Sequence, residues 1–173
     1  MSEVPAGSVK DATTSPEPRD AADALPGGAR RLTISELRLA DDRLAYTLTL
    51  PRLAECARDA RRLVSSALGY WGLGCIEDEA RLLVTELMSN AVTHARRANV
   101  RVTVTRLDVL AVRIAVTDMS TVLPRTREAN GQDESGRGLA IIDAVTRGRW
   151  GADLLPWGKC VWTELDATRR AAL

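Results

Sequence analysis

The stretch "ELMSNAVTHA", residues 86–95, combines the apolar content of a buried helix with a row of polar side chains. Glu86, Asn90 and His94 follow one another at steps of four residues, and His94 is the only histidine in the sequence. Residues four apart lie over one another on a helix, so the three polar groups share one edge beside an apolar face. The pattern predicts a helix over about residues 77–95.

This polar row admits two interpretations. It can be the solvated edge of an ordinary amphipathic helix. Alternatively, Glu86 is a general base, and Asn90 is a neighbouring amide whose oxygen ligates a hard cation such as Mg²⁺. The spacing alone does not separate the two interpretations, and two later motifs favour the second.

The first of these motifs is "AVTDMS", in which Asp118 ends an apolar strand as a long loop begins. A carboxylate at the end of a strand can accept a hydrogen bond from an exocyclic amine such as N6 of adenine. The alternative is that Asp118 only starts a turn, a role in which aspartate is common.

The second motif is "DESGRGLAII", in which Gly136 and Gly138 directly precede an apolar helix. Glycines at this place allow a close approach of the backbone, and the free N–H groups of a helix start bind anions such as phosphates. The alternative is a glycine-rich turn with Ser135 as the helix cap.

The order of the predicted elements indicates an α/β sandwich. Two alternating segments, "LTISELRL" and "AYTLTL", are typical of strands. They precede two helices and a hairpin formed by "VRVTVTRL" and "VLAVRIAVTD". A long loop over residues 119–137 leads to a short helix, "GLAIIDAVTRG", and two closing strands, "RWGADLL" and "KCVWTEL". One mixed or antiparallel sheet would then carry the helices on one face.

Length and composition limit the classes of function. The chain has 173 residues and a formal net charge of +1, which gives no electrostatic argument for binding nucleic acid or an acidic membrane. We predict a disordered tail over residues 1–30, one folded domain over residues 31–168 and a short tail over residues 169–173. The absence of an apolar leader or a spanning segment leads us to expect a cytoplasmic protein.

The three cysteines, Cys56, Cys75 and Cys160, are odd in number and widely spaced. With no CxxC pair and a single histidine, they do not predict a zinc site. We expect them to be reduced thiols in or near the core.

Taken together, these motifs resemble the GHKL family of histidine kinase-like ATP-binding domains, and within it the anti-sigma-factor serine kinases and their actinobacterial relatives. "EARLLVTELMSNAVTHA" is similar to the N box, "VTDMSTVLP" to a short G1 box, "ESGRGLAIIDAV" to the G2 box and "GKCVWTEL" to the last strand. The resemblance covers roughly residues 46–165. It implies the Bergerat-type two-layer α/β sandwich, with a mixed sheet and ATP bound between the N-box helix, the lid and the sheet.

The resemblance also implies roles for individual residues. Glu86 would activate a serine hydroxyl or water, and Asn90 would hold the Mg²⁺ that bridges the phosphates. Asp118 would bind the adenine amino group, with Ser120 as the small residue that follows it. His94 would be a structural or phosphate-side neighbour. The remaining cofactor-binding positions implied by the family lie at the G2 box: Gly136, Arg137, Gly138 and Leu139.

Two positions depart from the family pattern. The wider family has a glycine-rich segment after its aspartate, whereas Asp118 is followed by Met119 and Ser120. The last strand of the family commonly carries a threonine that supports this aspartate, and Cys160 stands there. Because a thiol is a weak hydrogen-bonding group, a reduced nucleotide affinity is expected.

The function implied is an ATP-dependent serine/threonine kinase that controls transcription by partner switching. Its partners would be a sigma factor and an anti-anti-sigma (STAS-type) protein, which it phosphorylates. The alternative is a regulatory module of the same fold that binds nucleotide, or only partners, without catalysis. Family members often form homodimers, although no motif in this sequence demonstrates one.

Overall fold

Alternating apolar residues build a six-stranded sheet in this computed structural model, which describes residues 34–94, 98–124 and 137–169. The strand order is β1-β2-β3-β4-β6-β5. Every neighbouring pair is antiparallel. The strands are β1 (Ile34–Arg38), β2 (Leu44–Pro51), β3 (Asn99–Asp108), β4 (Ala111–Asp118), β5 (Trp150–Leu155) and β6 (Gly158–Asp166).

Within the described residues, three α-helices accompany the sheet: α1 (Ala57–Tyr70), α2 (Glu77–His94) and α3 (Arg137–Thr146). Short 3₁₀ turns at Ala54–Cys56 and Gly74–Ile76 lead into α1 and α2, and a third, Ala167–Arg169, follows β6. The helix predicted over residues 77–95 is therefore confirmed to within one residue.

The connection from α1 to α2 follows from a glycine in the left-handed conformation. Gly72 has a φ of 71°, and its N–H donates to the carbonyl of Gly69. The N–H of Leu73 donates to the carbonyl of Leu68, which completes a Schellman motif. The chain thereby reverses within a few residues, so that α2 packs beside α1 on the sheet.

Strand alternation divides the sheet into two faces. On β4, Val112, Ile114, Val116 and Asp118 point to the same side, and all four are buried. We call this helix-covered side the inner face. The core forms between it and the apolar rows of the helices, which include Leu63, Val64, Leu83, Leu87, Met88 and Ile142. Asp118 therefore lies on the inner face, at the end of the strand.

The outer face of the sheet carries polar and charged groups. The guanidinium of Arg113 lies 4.3 Å from the ring centroid of Trp162 and donates through Nε to Glu164 Oε1 at 3.0 Å. Such a face can be solvated because an antiparallel sheet needs only one side covered. The two-layer α/β sandwich predicted from the sequence is confirmed.

The expectation of a mixed sheet is wrong, and the closing hairpin explains why. The chain leaves β4, passes through α3 and returns as β5, a path that would make β5 a parallel neighbour of β4. Instead β6 inserts between them and pairs with both, so β4 and β5 run in the same direction without touching.

Some of the sequence-based expectations concern residues that the structure does not describe. The predicted tail over residues 1–30, the tail predicted over residues 169–173 except for its first residue, and most of the predicted loop lie outside the described residues. No helix in the described part of the chain is long and apolar enough to cross a membrane.

Gly158 offers a test of the fold at the end of β4. A Cβ atom at this position would lie 2.0 Å from the carbonyl oxygen of Asp118 and 2.8 Å from Cα of Met119. Because both atoms belong to the backbone, Gly158→Ala should lower the free energy of unfolding by about 2–3 kcal/mol in urea denaturation. Gly74→Ala is the control, since nothing lies within 4 Å of its Cβ. Equal stability of the two variants would contradict the packing at Asp118.

Candidate functional site

The start of α3 lies directly over the polar row of α2. A Cβ atom built on Gly138 would lie 2.8 Å from Glu86 Oε2 and 3.4 Å from Asn90 Oδ1. Gly138 itself is buried, and the two side chains are partly buried. The carboxylate, the amide and the backbone of a helix start thus meet at one point, and a larger residue than glycine would fill the space between them.

The apolar rows of α2 and α3 hold this arrangement in place. Leu83, Leu87 and Ala91 of α2 are buried, and α2 packs against both β4 and α3. On α3, Leu139 and Ile142 are buried in the same core. With these rows on the core, the adjacent row that contains Glu86 and Asn90 is left at the junction of α2 and α3.

The side-chain amide nitrogen of Asn90 is buried and unpaired in the described part of the chain. Its Nδ2 atom has no hydrogen-bond partner among the described residues. An unpaired buried polar group costs about 1–3 kcal/mol, so it is normally explained by a ligand, an ion or water. The unpaired Nδ2 is a donor and suits a phosphate oxygen, as does the neighbouring helix start, while the amide oxygen of the same side chain is a suitable ligand for Mg²⁺. The residues present therefore fit a Mg–nucleotide phosphate group.

A second polar cluster lies at the end of β4. The ammonium of Lys159 is 3.0 Å from Asp118 Oδ1 and 3.0 Å from Oδ2. The N–H of Ser120 donates to Oδ1 at 2.7 Å, which closes a turn of the kind that aspartate favours. The side chains of Lys159 and Asp118 are 4% and 1% exposed, so this is a fully buried ion pair.

The strand register decides which residue supports Asp118. Asp118 faces Lys159 across the β4–β6 ladder, and Thr117 faces Cys160. Successive side chains point to opposite faces, so Cys160 lies on the outer face, away from Asp118. The expectation that the Cys160 thiol stands in the supporting position is therefore wrong, and Lys159 occupies that place.

The environment of Cys160 makes it a weak nucleophile. Burial raises the pKa of this thiol, and a hydrogen bond with Thr117 offsets only part of that effect. The side chain is partly buried on the outer face of the sheet. No hydrogen bond recorded for the described residues joins it to either polar cluster, although the charge of Asp118 adds a small part to its raised pKa.

The predicted site residues fall into four groups. Glu86, Asn90 and Gly138 are brought together at α2 and α3, whereas Asp118 and Ser120 form the separate cluster at the end of β4. The side chain of Leu139 is in the core, which leaves only its backbone for ligand binding. Gly136 and the side chains of His94 and Arg137 lie outside the described residues, so their predicted roles stay predictions.

A comparison with family models gives a match to the histidine kinase-like ATPase domain over residues 50–148, more than half of the chain. The chain belongs to the histidine kinase-like ATPase family. This agrees with the GHKL resemblance seen in its motifs, and domains of this family bind ATP, usually with Mg²⁺. A search of curated proteins gives no match.

Sequence reasoning missed two residues of this histidine kinase-like ATPase domain, Gly158 and Lys159. Both were available from the sequence. Lys159 is one of only two lysines in an arginine-rich chain, and it shares strand parity with Val161, Thr163 and Leu165. That parity places a lysine on the buried face of a strand, a position that requires a partner.

The three thiols of the ATPase domain should react with iodoacetamide at different rates. Cys56 is 1% exposed and Cys160 is partly buried, but Cys75 is exposed, so the expectation of a thiol in or near the core is wrong for Cys75. Because iodoacetamide reacts only with a thiolate that it can reach, Cys75 should be modified first at pH 8 and Cys56 last. The raised pKa of Cys160 means that its rate should keep increasing at pH values above the ordinary thiol range. Mass spectrometry of timed samples measures each rate.

Cys75→Ser is the control for this assignment, since it should remove only the fast phase. If Cys160 reacted as fast as Cys75 at pH 8, the burial assigned to Cys160 would be wrong.

Proposed function

We propose that this protein is an ATP-dependent serine/threonine kinase that regulates transcription by partner switching. The observation that carries the proposal is the meeting of Glu86 and Asn90 with the backbone of Gly138 at the start of α3. A carboxylate, a cation-binding amide and a phosphate-binding helix start are the components that phosphoryl transfer requires. Membership of the histidine kinase-like ATPase family supports the use of ATP.

In this proposal Glu86 is the general base. Its carboxylate takes the proton from the serine hydroxyl as that oxygen bonds to the γ-phosphorus, and the bond from phosphorus to the β-phosphate oxygen breaks. Glu86 is partly buried and lies beside the start of α3, which keeps it near the transferred group and limits access of water.

Asn90 and the helix start would hold the phosphates. The Asn90 amide lies against Gly138, and its oxygen is available for a cation. A bound Mg²⁺ would supply positive charge that neutralises the phosphate oxygens. Gly136, Gly138 and Leu139 would offer backbone N–H groups, and Arg137 would neutralise transferred charge.

Asp118 would contribute the base-binding end of the site, supported by Ser120 and Lys159. Asp118 lies at the end of β4, and α2 packs against that strand as well as against α3. The helix that carries Glu86 and Asn90 therefore adjoins the elements that carry both clusters.

A groove between α1 and α2 supports the binding of a protein partner. It has a volume of about 360 Å³ and is lined by Arg58, Arg61, Arg62, Ser65, Ser66 and Arg81. Two of these guanidinium groups have an acidic neighbour: Nη1 of Arg62 lies 3.7 Å from Asp59 Oδ1, and Nη1 of Arg81 lies 3.7 Å from Glu77 Oε1. Arg61 instead donates to the hydroxyl of Thr85. Positive charge is therefore in excess here, although the whole chain is close to neutral. Such a groove suits an acidic segment of a protein.

We assign the anti-anti-sigma protein to this groove as the partner and substrate, with a sigma factor as the competing partner. The kinase would act in the cytoplasm, and a homodimer is compatible with this role. A pull-down from the native host with and without Mg-ATP, followed by phosphosite mapping, identifies both partners and the target serine.

One observation favours the alternative, a regulatory module without catalysis. The carboxylate that would bind adenine already accepts hydrogen bonds from Lys159 and Ser120. Calorimetric titration with Mg-ATP separates the two functions, because a complete absence of binding would exclude the kinase.

Replacement of Glu86 tests the catalytic assignment. Glu86→Gln keeps the shape of the side chain but cannot accept a proton, so phosphate transfer from radiolabelled ATP to the partner should fall by about 10²–10⁴-fold. Binding of Mg-ATP, measured by calorimetry, should stay within about threefold because Asn90 and the helix start are unchanged. Asp78→Asn, at an exposed carboxylate on the first turn of the same helix, is the control. Full activity of Glu86→Gln would show that the base is another group.

Charge reversal tests the groove. Arg61→Glu should weaken binding of the partner identified by phosphosite mapping by at least about tenfold, and added salt should reduce the affinity of the parent protein. Arg101→Glu is the matched control, since Arg101 is exposed on the outer face of the sheet. Equal affinities of the two variants, measured by titration with the purified partner, would place the partner elsewhere.

A further inference from the structure

We propose that Lys159 makes the base-binding end of the site accept 6-oxopurine nucleotides as well as ATP. The proposal rests on the function above, because it concerns the same nucleotide. It assigns Lys159 as a specificity-determining residue, with a donor placed beside the acceptor Asp118. Lys159 lies beyond the residues that match the family model, so the family match does not assign it a role.

The positions around the Asp118 carboxylate are mostly filled. The ammonium nitrogen is equally distant, at 3.0 Å, from both oxygens, so it lies between them. The N–H of Ser120 takes a further position on Oδ1 at 2.7 Å. Within the described residues, Oδ2 has no recorded hydrogen-bond partner other than Lys159, so one of its acceptor positions is left for a ligand.

The ammonium of Lys159 also keeps bonding capacity. It carries three N–H donors, and at most two of them point to the two carboxylate oxygens. No further acceptor within the described residues is recorded for the third. This side chain is 4% exposed, so a donor left without an acceptor is costly there, and an acceptor on a bound ligand would satisfy it.

One donor beside one acceptor matches the edges of two kinds of purine. Adenine offers an N6–H donor and the N1 acceptor, whereas hypoxanthine and guanine offer an N1–H donor and the O6 acceptor. In either case Asp118 accepts from the base and Lys159 donates to it. With Asp118 alone, O6 would face a carboxylate oxygen without a proton between them, which disfavours 6-oxopurines.

The geometry near Lys159 limits how the pair can rearrange. Gly158 lies against the Asp118 carbonyl, where a Cβ would be 2.0 Å away. The ion pair beside this contact is almost fully buried, so separating its two charges would be costly. A base therefore meets the pair as a unit, not the carboxylate by itself.

The test is the ratio of two dissociation constants, for Mg-ATP and Mg-ITP, measured by calorimetry. The parent protein should bind ITP within about fivefold of ATP. Lys159→Met should shift the ratio by about tenfold or more in favour of ATP, because both nucleotides lose the bond from Lys159 but only ITP is left with its O6 facing the Asp118 carboxylate. The ratio is measured on one folded variant at a time, so a general loss of stability cancels.

Thr163→Val is the matched control. Thr163 lies on the same face of β6, is fully buried, and its Oγ1 has no partner among the described residues. The substitution perturbs the same strand without touching the ion pair, so the ratio of the two dissociation constants should equal that of the parent protein. Lys159→Arg retains a charged donor, and it should also retain binding of ITP.

A ligand series on the parent protein keeps the test independent of how well Lys159→Met folds. Purine riboside triphosphate has no 6-substituent, so it should bind at least about fivefold more weakly than ITP. An unchanged ratio in Lys159→Met, or rejection of ITP by the parent while ATP binds, would overturn the role of Lys159 and leave the kinase intact. If the parent bound neither nucleotide, both proposals would fail.

Discussion

The packing of α2 against both the sheet and α3 is the constraint on which the rest of the structure depends. One row of this helix, with Leu83 and Leu87, is buried in the core, and the adjacent row carries Glu86 and Asn90. The rotation that buries the first row fixes the direction of the second. Gly138 then allows α3 to begin in contact with both side chains. Core packing and site geometry are consequently set by the same helix.

The buried pair of Asp118 and Lys159 has a different physical character. Removing two charges from water is costly, so such a pair adds little net stability, although breaking it by removing one partner costs about 3–5 kcal/mol. The burial of this charge pair at the end of an otherwise apolar strand is therefore not explained by net stability alone.

Much of the fold and part of the site could be predicted from local patterns. Periodicity located the strands and helices, and α2 ends within one residue of its predicted limit. Steps of four residues were sufficient to place Glu86 and Asn90 together, because a helix has one geometry. The prediction that Cys160 supports Asp118 was wrong for a related reason. Motif alignment identifies a strand position, but the face of that position depends on pairing with β4.

The sequence by itself determined the elements, their order, the family motifs and the polar row of α2, since these depend on residues close together in the chain. Only the tertiary structure decided that β6 inserts between β4 and β5, and that Lys159 is therefore the partner of Asp118. It also decided that Gly138 lies against Glu86 and Asn90. The physical reason is that strand register and helix contact join residues some 40 to 50 positions apart, and no local propensity specifies which of the possible pairings is formed.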